Sequence, residues 1–250
     1  MTALASPDVL AFAWFLGVWS AYSFVIELTP RGRTSLNALM NEYRNEWMQH
    51  MLARDMRMVD AQVTASLQNG TAFFASTSLI AIGGALTLLR STEVILPVMS
   101  QLPFATVPSR ELWELKMMGI VVIFVYAFFK FAWSYRLFNY FAIMVGAAPP
   151  RSEKDTAAAQ AFVHRASRLC ADAGRHFNRG QRAFFFALGY LGWFLGPLPL
   201  IVTTTAIVIV MWHRQFASDA RRAFEMKMPE GGAHPVRRGQ RPAKSRSRDD

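Results

Sequence analysis

The sequence predicts an all-α, polytopic membrane protein with four transmembrane helices and two long amphipathic helices outside the bilayer. Three observations carry that expectation. Apolar residues make up 52% of the 250 positions, yet they gather into four long blocks. Each block reaches or nears the length of about 20 residues that a helix needs to cross a hydrocarbon core. Between the blocks lie charged stretches in which apolar residues recur at helical spacing. Such an apolar content excludes a disordered chain, and blocks of this length exclude an ordinary soluble domain.

The first block, about Val9–Ile26, has no basic residue before it. A secretory signal opens on positive charge, so this block reads as a retained helix. An amphipathic helix follows over about 34–67, started by Pro30 with Thr34 or Ser35. Leu36, Met40, Trp47, Met51, Val63 and Leu67 form its apolar stripe, and Glu42, Arg44, Glu46, Arg54, Asp55 and Arg57 its polar side. The second block, Thr71–Leu89, leads into a short apolar loop, Arg90–Lys116, broken by Pro97, Pro103 and Pro108. The third block is Met117–Val145. A second amphipathic helix is expected over about 155–179, with Phe162, Ala166, Leu169, Ala173 and Phe177 on one face. Cys170 lies on it and is expected to report its side of the membrane through maleimide labelling. The fourth block, Phe184–Trp212, carries Gly196-Pro197-Leu198-Pro199, which predicts a kink or a half-helix.

Residues 1–218 thus form the membrane domain, and 219–250 a basic tail that supplies much of the net charge of +10. That tail reads either as a patch for acidic headgroups or as a solvated, disordered extension, and the second is preferred. Its one aromatic residue, Phe224, makes no aromatic pattern among the basic ones, and no folded element offers a basic groove, so nucleic acid is excluded as a partner. The expected location is a bacterial inner membrane. Basic residues near the span ends divide eight to seven, which leaves orientation open. The uncharged N-terminus favours both amphipathic helices in the cytoplasm, at the cost of placing the basic tail outside unless the last block is re-entrant.

Charge inside the apolar blocks marks the candidate polar site. Lys130 and Arg136 both lie in the third block, and a mid-bilayer cation costs about 2.5–3.5 kcal/mol on insertion scales. Glu27, at the end of the first block, is the carboxylate nearest in depth. The three form either an anion-binding or proton-path site, or a set of snorkelling and carbonyl-bonded side chains. The stripe Ala13, Gly17 and Ala21 reads as a helix-packing face, serving the fold or self-association. A lone cysteine rules out an intrachain disulfide and a cysteine metal site, and His50, His164, His176, His213 and His234 are scattered. The methionines at 40, 48, 51, 56 and 58 read as packing. No phosphate loop, nucleophile elbow or zinc signature occurs, so no catalytic, cofactor or metal residue is assigned.

The run Ala173-Gly174-Arg175-His176-Phe177-Asn178-Arg179-Gly180-Gln181-Arg182-Ala183-Phe184, with Trp193 and Gly196-Pro197 after it, resembles the signature of a family of four-span membrane proteins. That family is catalogued only as a domain of unknown function, in bacteria and plants. Asn41 through Met48 is similar to its first connector, and Phe129-Lys130 through Arg136 to its third span. The resemblance covers about residues 8–218 and implies the four-span fold. It also implies that Lys130, Arg136, Asn178, Arg182 and Pro197 belong to a shared pattern, and it supplies no activity. Two functions remain from the sequence. One is a non-enzymatic scaffold or accessory subunit, with membrane lipids and an unidentified protein as partners. The other is a small transporter or channel, a homo-oligomer with Lys130 facing a polar cavity.

Overall fold

The computed structural model describes residues 6–99, 109–219 and 223, among which all regular structure is helical. The helices are α1 (Ser6–Leu28), α2 (Leu36–Leu52), α3 (Met58–Arg90), α4 (Thr92–Met99), α5 (Arg110–Gly146), α6 (Ala157–Tyr190) and α7 (Pro197–Phe216). Four segments are long and apolar enough to cross a membrane: Pro7–Leu28, Met58–Arg90, Arg110–Gly146 and Pro197–Phe216. Their outward faces are apolar. Leu10, Phe24, Ile80, Val122, Phe129, Val202 and Ile209 are each more than half exposed, as side chains against lipid are. The basic tail and the centre of the 90–116 loop fall outside the described residues, apart from 219 and 223 in the tail.

α5 runs for 37 residues, which at a rise of about 1.5 Å each makes ~55 Å, against a hydrocarbon core of about 30 Å. α3, with 33 residues, is also longer than one crossing needs. The two lie antiparallel, with Phe74 stacked on Phe131 at 5.4 Å and Gln68 donating to Asn139 Oδ1 at 2.7 Å. Their excess length projects from the same end of the bundle. There α2 and the first half of α6 join them around a core of Met48, Met51, Leu52, Phe138, Phe141, Val163 and Cys170. We call this second core the platform. A separate aromatic core, including Phe15, Phe131, Phe186, Tyr190 and Trp193, fills the apolar part of the bundle.

Three elements differ from the sequence expectation. The expected loop over 90–116 is helical at both ends, with Thr92–Met99 forming α4 around Pro97 and α5 already under way from Arg110. The first amphipathic helix is not continuous: it stops at Leu52 and restarts at Met58. Asp60 ties this corner together, accepting from Trp47 Nε1 at 2.7 Å and from Arg54 at 3.0 Å while itself fully buried. Arg57 fixes the corner to the next loop by donating to the carbonyls of Ala148 and Pro149. Helical periodicity persists through the corner, so the break is invisible to the pattern.

The fourth block is not one crossing. Residues up to Tyr190 complete α6, the chain reverses through Leu191–Gly196, and α7 returns along α6, where Thr203 Oγ1 donates to Gly189 O at 2.7 Å. Gly196 has φ 139°, a conformation that L side chains rarely adopt, and Pro197 then opens α7 with its φ already set. α7 therefore ends at the platform end, beside the start of α2. The Ala13–Gly17–Ala21 stripe faces outward, and no atom outside the local helix lies within 4 Å of a Cβ built on Gly17.

Cys170 needs a correction too. It is fully buried, and burial pushes its thiol up to about 11, so it is a poor target for maleimide from either side. We expect no labelling of the folded protein in detergent and full labelling after SDS; labelling of the folded protein would show the platform core to be open. Replacing Asp60 by Ala strands Trp47 Nε1 and Arg54, and should lower stability by ~2 kcal/mol in detergent melts. Glu42→Ala, on the exposed side of α2, should leave the melt unchanged.

Candidate functional site

The deepest charges at the end away from the platform form a structural knot. Lys116, 3% exposed, donates to Trp193 O at 2.8 Å and lies 3.7 Å from Asp8, which accepts from Trp193 Nε1 at 2.7 Å. Tyr190 donates to Lys116 O at 3.1 Å. These contacts pin the α6–α7 reversal to the starts of α1 and α5. Neither Asp8 nor Lys116 stood out in the sequence, because each lies just outside an apolar block.

The platform end is different. Here α1, α2, α6 and α7 enclose a cavity of about 520 Å³. Its floor is apolar, formed by Tyr22, Ile26, Phe185 and Met211. Glu27, in the last turn of α1, meets two arginines three residues apart on α6. Arg179 donates to it at 3.0 Å from Nε and 2.5 Å from Nη2, and Arg182 donates from its own Nη2. The i, i+3 spacing puts both guanidinium groups on one face, and helix geometry tilts them towards the platform. Arg182 is only 7% exposed. Basic side chains also suit the partial negative charge at the ends of α1 and α7.

Around this trio the cavity wall is rich in donors. Arg214 lies with its guanidinium 5.0 Å from the Phe185 ring, and Gln215 Nε2 is buried without a hydrogen-bond partner. Asn178 and Arg175 line the wall from α6, and Arg175 is paired with Asp172. The first turn of α2 faces the same space, where Ser35 caps the helix by accepting from Ala38 N at 3.3 Å. Four arginines thus line one cavity, two of them on the Glu27 carboxylate, an arrangement suited to holding an anion. Among the described residues, no three His, Cys, Asp or Glu side chains converge to hold a metal ion.

Of the residues singled out in the sequence, Glu27, Asn178 and Arg182 meet in this cavity. Lys130 and Arg136 do not join Glu27. Lys130 is half-buried, with its Nζ 5.1 Å from the Tyr126 ring. Arg136 is exposed and donates to Tyr140 Oη at 2.7 Å, on the part of α5 that flanks the platform. Pro197 is the first residue of α7 and sets the reversal. Arg179 was visible only as one more basic residue; its i, i+3 relation to Arg182 was the available signal. Arg214 could not be found, because its place depends on the α7 reversal.

Glu27→Gln leaves Arg182 without its counter-charge and should lower stability by ~1.5–3 kcal/mol, as loss of hydrogen bonds to a charged group does. In a double-mutant cycle with Arg182→Met, the double variant should lose less than the sum of the single changes. Additive losses would mean that the pair is not coupled.

No curated protein and no solved structure matches the chain. A family model does, over residues 10–220, a segment holding the reversal, the platform and every cavity residue named above. The chain belongs to the family described as "Protein of unknown function, DUF599".

Proposed function

We propose that this is a multi-pass protein of the bacterial inner membrane, acting there as a non-enzymatic scaffold or accessory subunit with its platform in the cytoplasm. The observation that carries the reading is the platform itself. Helices α3, α5 and α6 continue past the apolar layer and build, with α2, a second core that the crossing segments do not require. Its outer face is charged and free of the chain's own packing, with His164, Arg165 and Arg168 exposed. A rigid surface of this kind suits docking of a partner.

Charge supports this orientation. The reversal before α7 returns Arg214 to the platform end, which also carries Arg57, Arg151, Lys154, Arg175, Arg179 and Arg182. The opposite end carries Arg90, Arg110 and Lys116. A bias of this size favours a cytoplasmic platform. Because α7 ends at the platform end, a cytoplasmic platform no longer requires the chain after α7 to start outside.

A transport path would have to pass the aromatic layer between the two polar ends. There Trp19 stacks on Phe186 at 5.1 Å and Phe15 meets Tyr190 edge-on at 5.3 Å. Lys130 lies against Tyr126 rather than in a polar channel. Purified protein in sealed proteoliposomes should therefore give ion leakage equal to that of protein-free vesicles; a protein-dependent conductance would overturn the scaffold reading. For orientation, Ala161→Cys in a Cys170→Ala background presents an exposed thiol on α6. An impermeant maleimide should label it in inverted vesicles and not in intact cells, and the reverse result would place the platform outside.

A further inference from the structure

We propose that the cavity at the platform end is a binding site for an anionic phosphate group, supplied either by the headgroup of an anionic lipid or by a soluble phosphate. The inference goes beyond the scaffold reading and stands or falls apart from it.

Charge balance is the first argument. Arg175 is occupied by Asp172, and Glu27 neutralises one more of the four arginines. Two positive charges therefore remain in a wall of which Arg182 is 93% buried by its 7% exposure. The ends of α1 and α7 oppose an anion, but a helix terminus counts as only about half a charge, and the start of α2 offsets one of the two. The cavity stays positive.

Donor supply is the second argument. Arg182 lines the cavity and uses Nη2 on Glu27, a guanidinium having five N–H donors in all. Gln215 lies in the same wall with its Nε2 closed off and unpartnered, so its amide reaches a ligand only by turning into the cavity. The first turn of α2, a 17-residue helix, brings backbone N–H groups to the opposite side. A guanidinium fork and a helix N-terminus together match the several acceptor oxygens of a phosphate.

Position is the third. The cavity lies where α1 and α7 both end, the level at which an apolar segment meets the headgroup layer. Basic pockets between crossing helices at this depth hold anionic headgroups. The floor of Tyr22, Ile26 and Met211 would face the first carbons of an acyl chain.

The test uses the full chain in a neutral detergent. Phosphatidylglycerol, phosphatidylcholine, sodium phosphate and sodium chloride at matched ionic strength are each added, with binding read by native mass spectrometry and thermal shift. We expect saturable binding of phosphatidylglycerol or of inorganic phosphate, weaker retention of phosphatidylcholine, and no shift with chloride. Arg214→Gln, at an exposed position that should not disturb folding, is expected to weaken binding about tenfold, the loss of one charge-assisted hydrogen bond. Arg168→Gln, on the outer face of the platform, should leave it unchanged. A response to phosphatidylglycerol alone identifies the source as a lipid headgroup; competition by inorganic phosphate identifies a soluble ligand. Equal retention of both lipids without any phosphate response, or equal loss in Arg168→Gln and Arg214→Gln, would overturn the assignment.

Discussion

The reversal between Tyr190 and Pro197 is the constraint on which the other features rest. Gly196 supplies a backbone angle closed to other residues, Pro197 starts the returning helix, and the buried Lys116–Asp8–Trp193 contacts hold the turn against α1 and α5. Without it, the apolar residues from Phe184 to Trp212 would form one crossing and α7 would end away from the platform. With it, Arg214 and Gln215 come back to α1, α2 and α6, and the cavity gains its fourth wall. The same turn decides how the basic residues divide between the two ends. One local conformational choice thus sets topology, charge asymmetry and the site together.

The buried charges divide into two kinds. Asp60 and the Asp8–Lys116 pair are tied to specific donors and acceptors; Asp60 fixes the local corner between α2 and α3, and the Asp8–Lys116 pair joins segments distant in sequence. They cost desolvation and in return fix which helices meet, since a shifted register would leave a charge unpaired. The arginines around Glu27 are different, because one carboxylate serves two of them and neighbouring donors remain unused. An imbalance of that kind is expensive in a closed core and tolerable beside a cavity open to a ligand or water. The contrast separates a charge cluster beside a cavity from a structural tie by the chemistry of the contacts.

The two halves of the chain look alike as sequences, each with a span, an amphipathic stretch and a second span. Folding treats them differently. The first half breaks inside its amphipathic stretch, where Asp60 ties the corner to Trp47 and Arg54 and Arg57 ties it to the distant carbonyls of Ala148 and Pro149. The second half keeps α6 unbroken through 34 residues and breaks only after it has reached the far end. Helical periodicity is the same in both, so local preference does not distinguish them; the polar ties made across the fold do.

The class of the protein, the four helices able to cross a membrane and the polar–apolar faces of the connectors were legible in the sequence, because block length and helical spacing are local properties read against the thickness of a bilayer. The break at Gly196-Pro197 was legible for the same reason. Its consequence was not: a glycine and a proline mark where a helix must stop, and the packing of α7 on α6 decides which way the chain goes next. The candidate site was half legible. Glu27, Asn178 and Arg182 stood out from the apolar background or the family pattern, whereas Lys130 and Arg136 stood out equally and lie elsewhere. A charge in an apolar block signals a cost, and only the tertiary structure shows how that cost is met. For Lys130 it is the face of Tyr126, and for Arg182 it is a carboxylate 155 positions away.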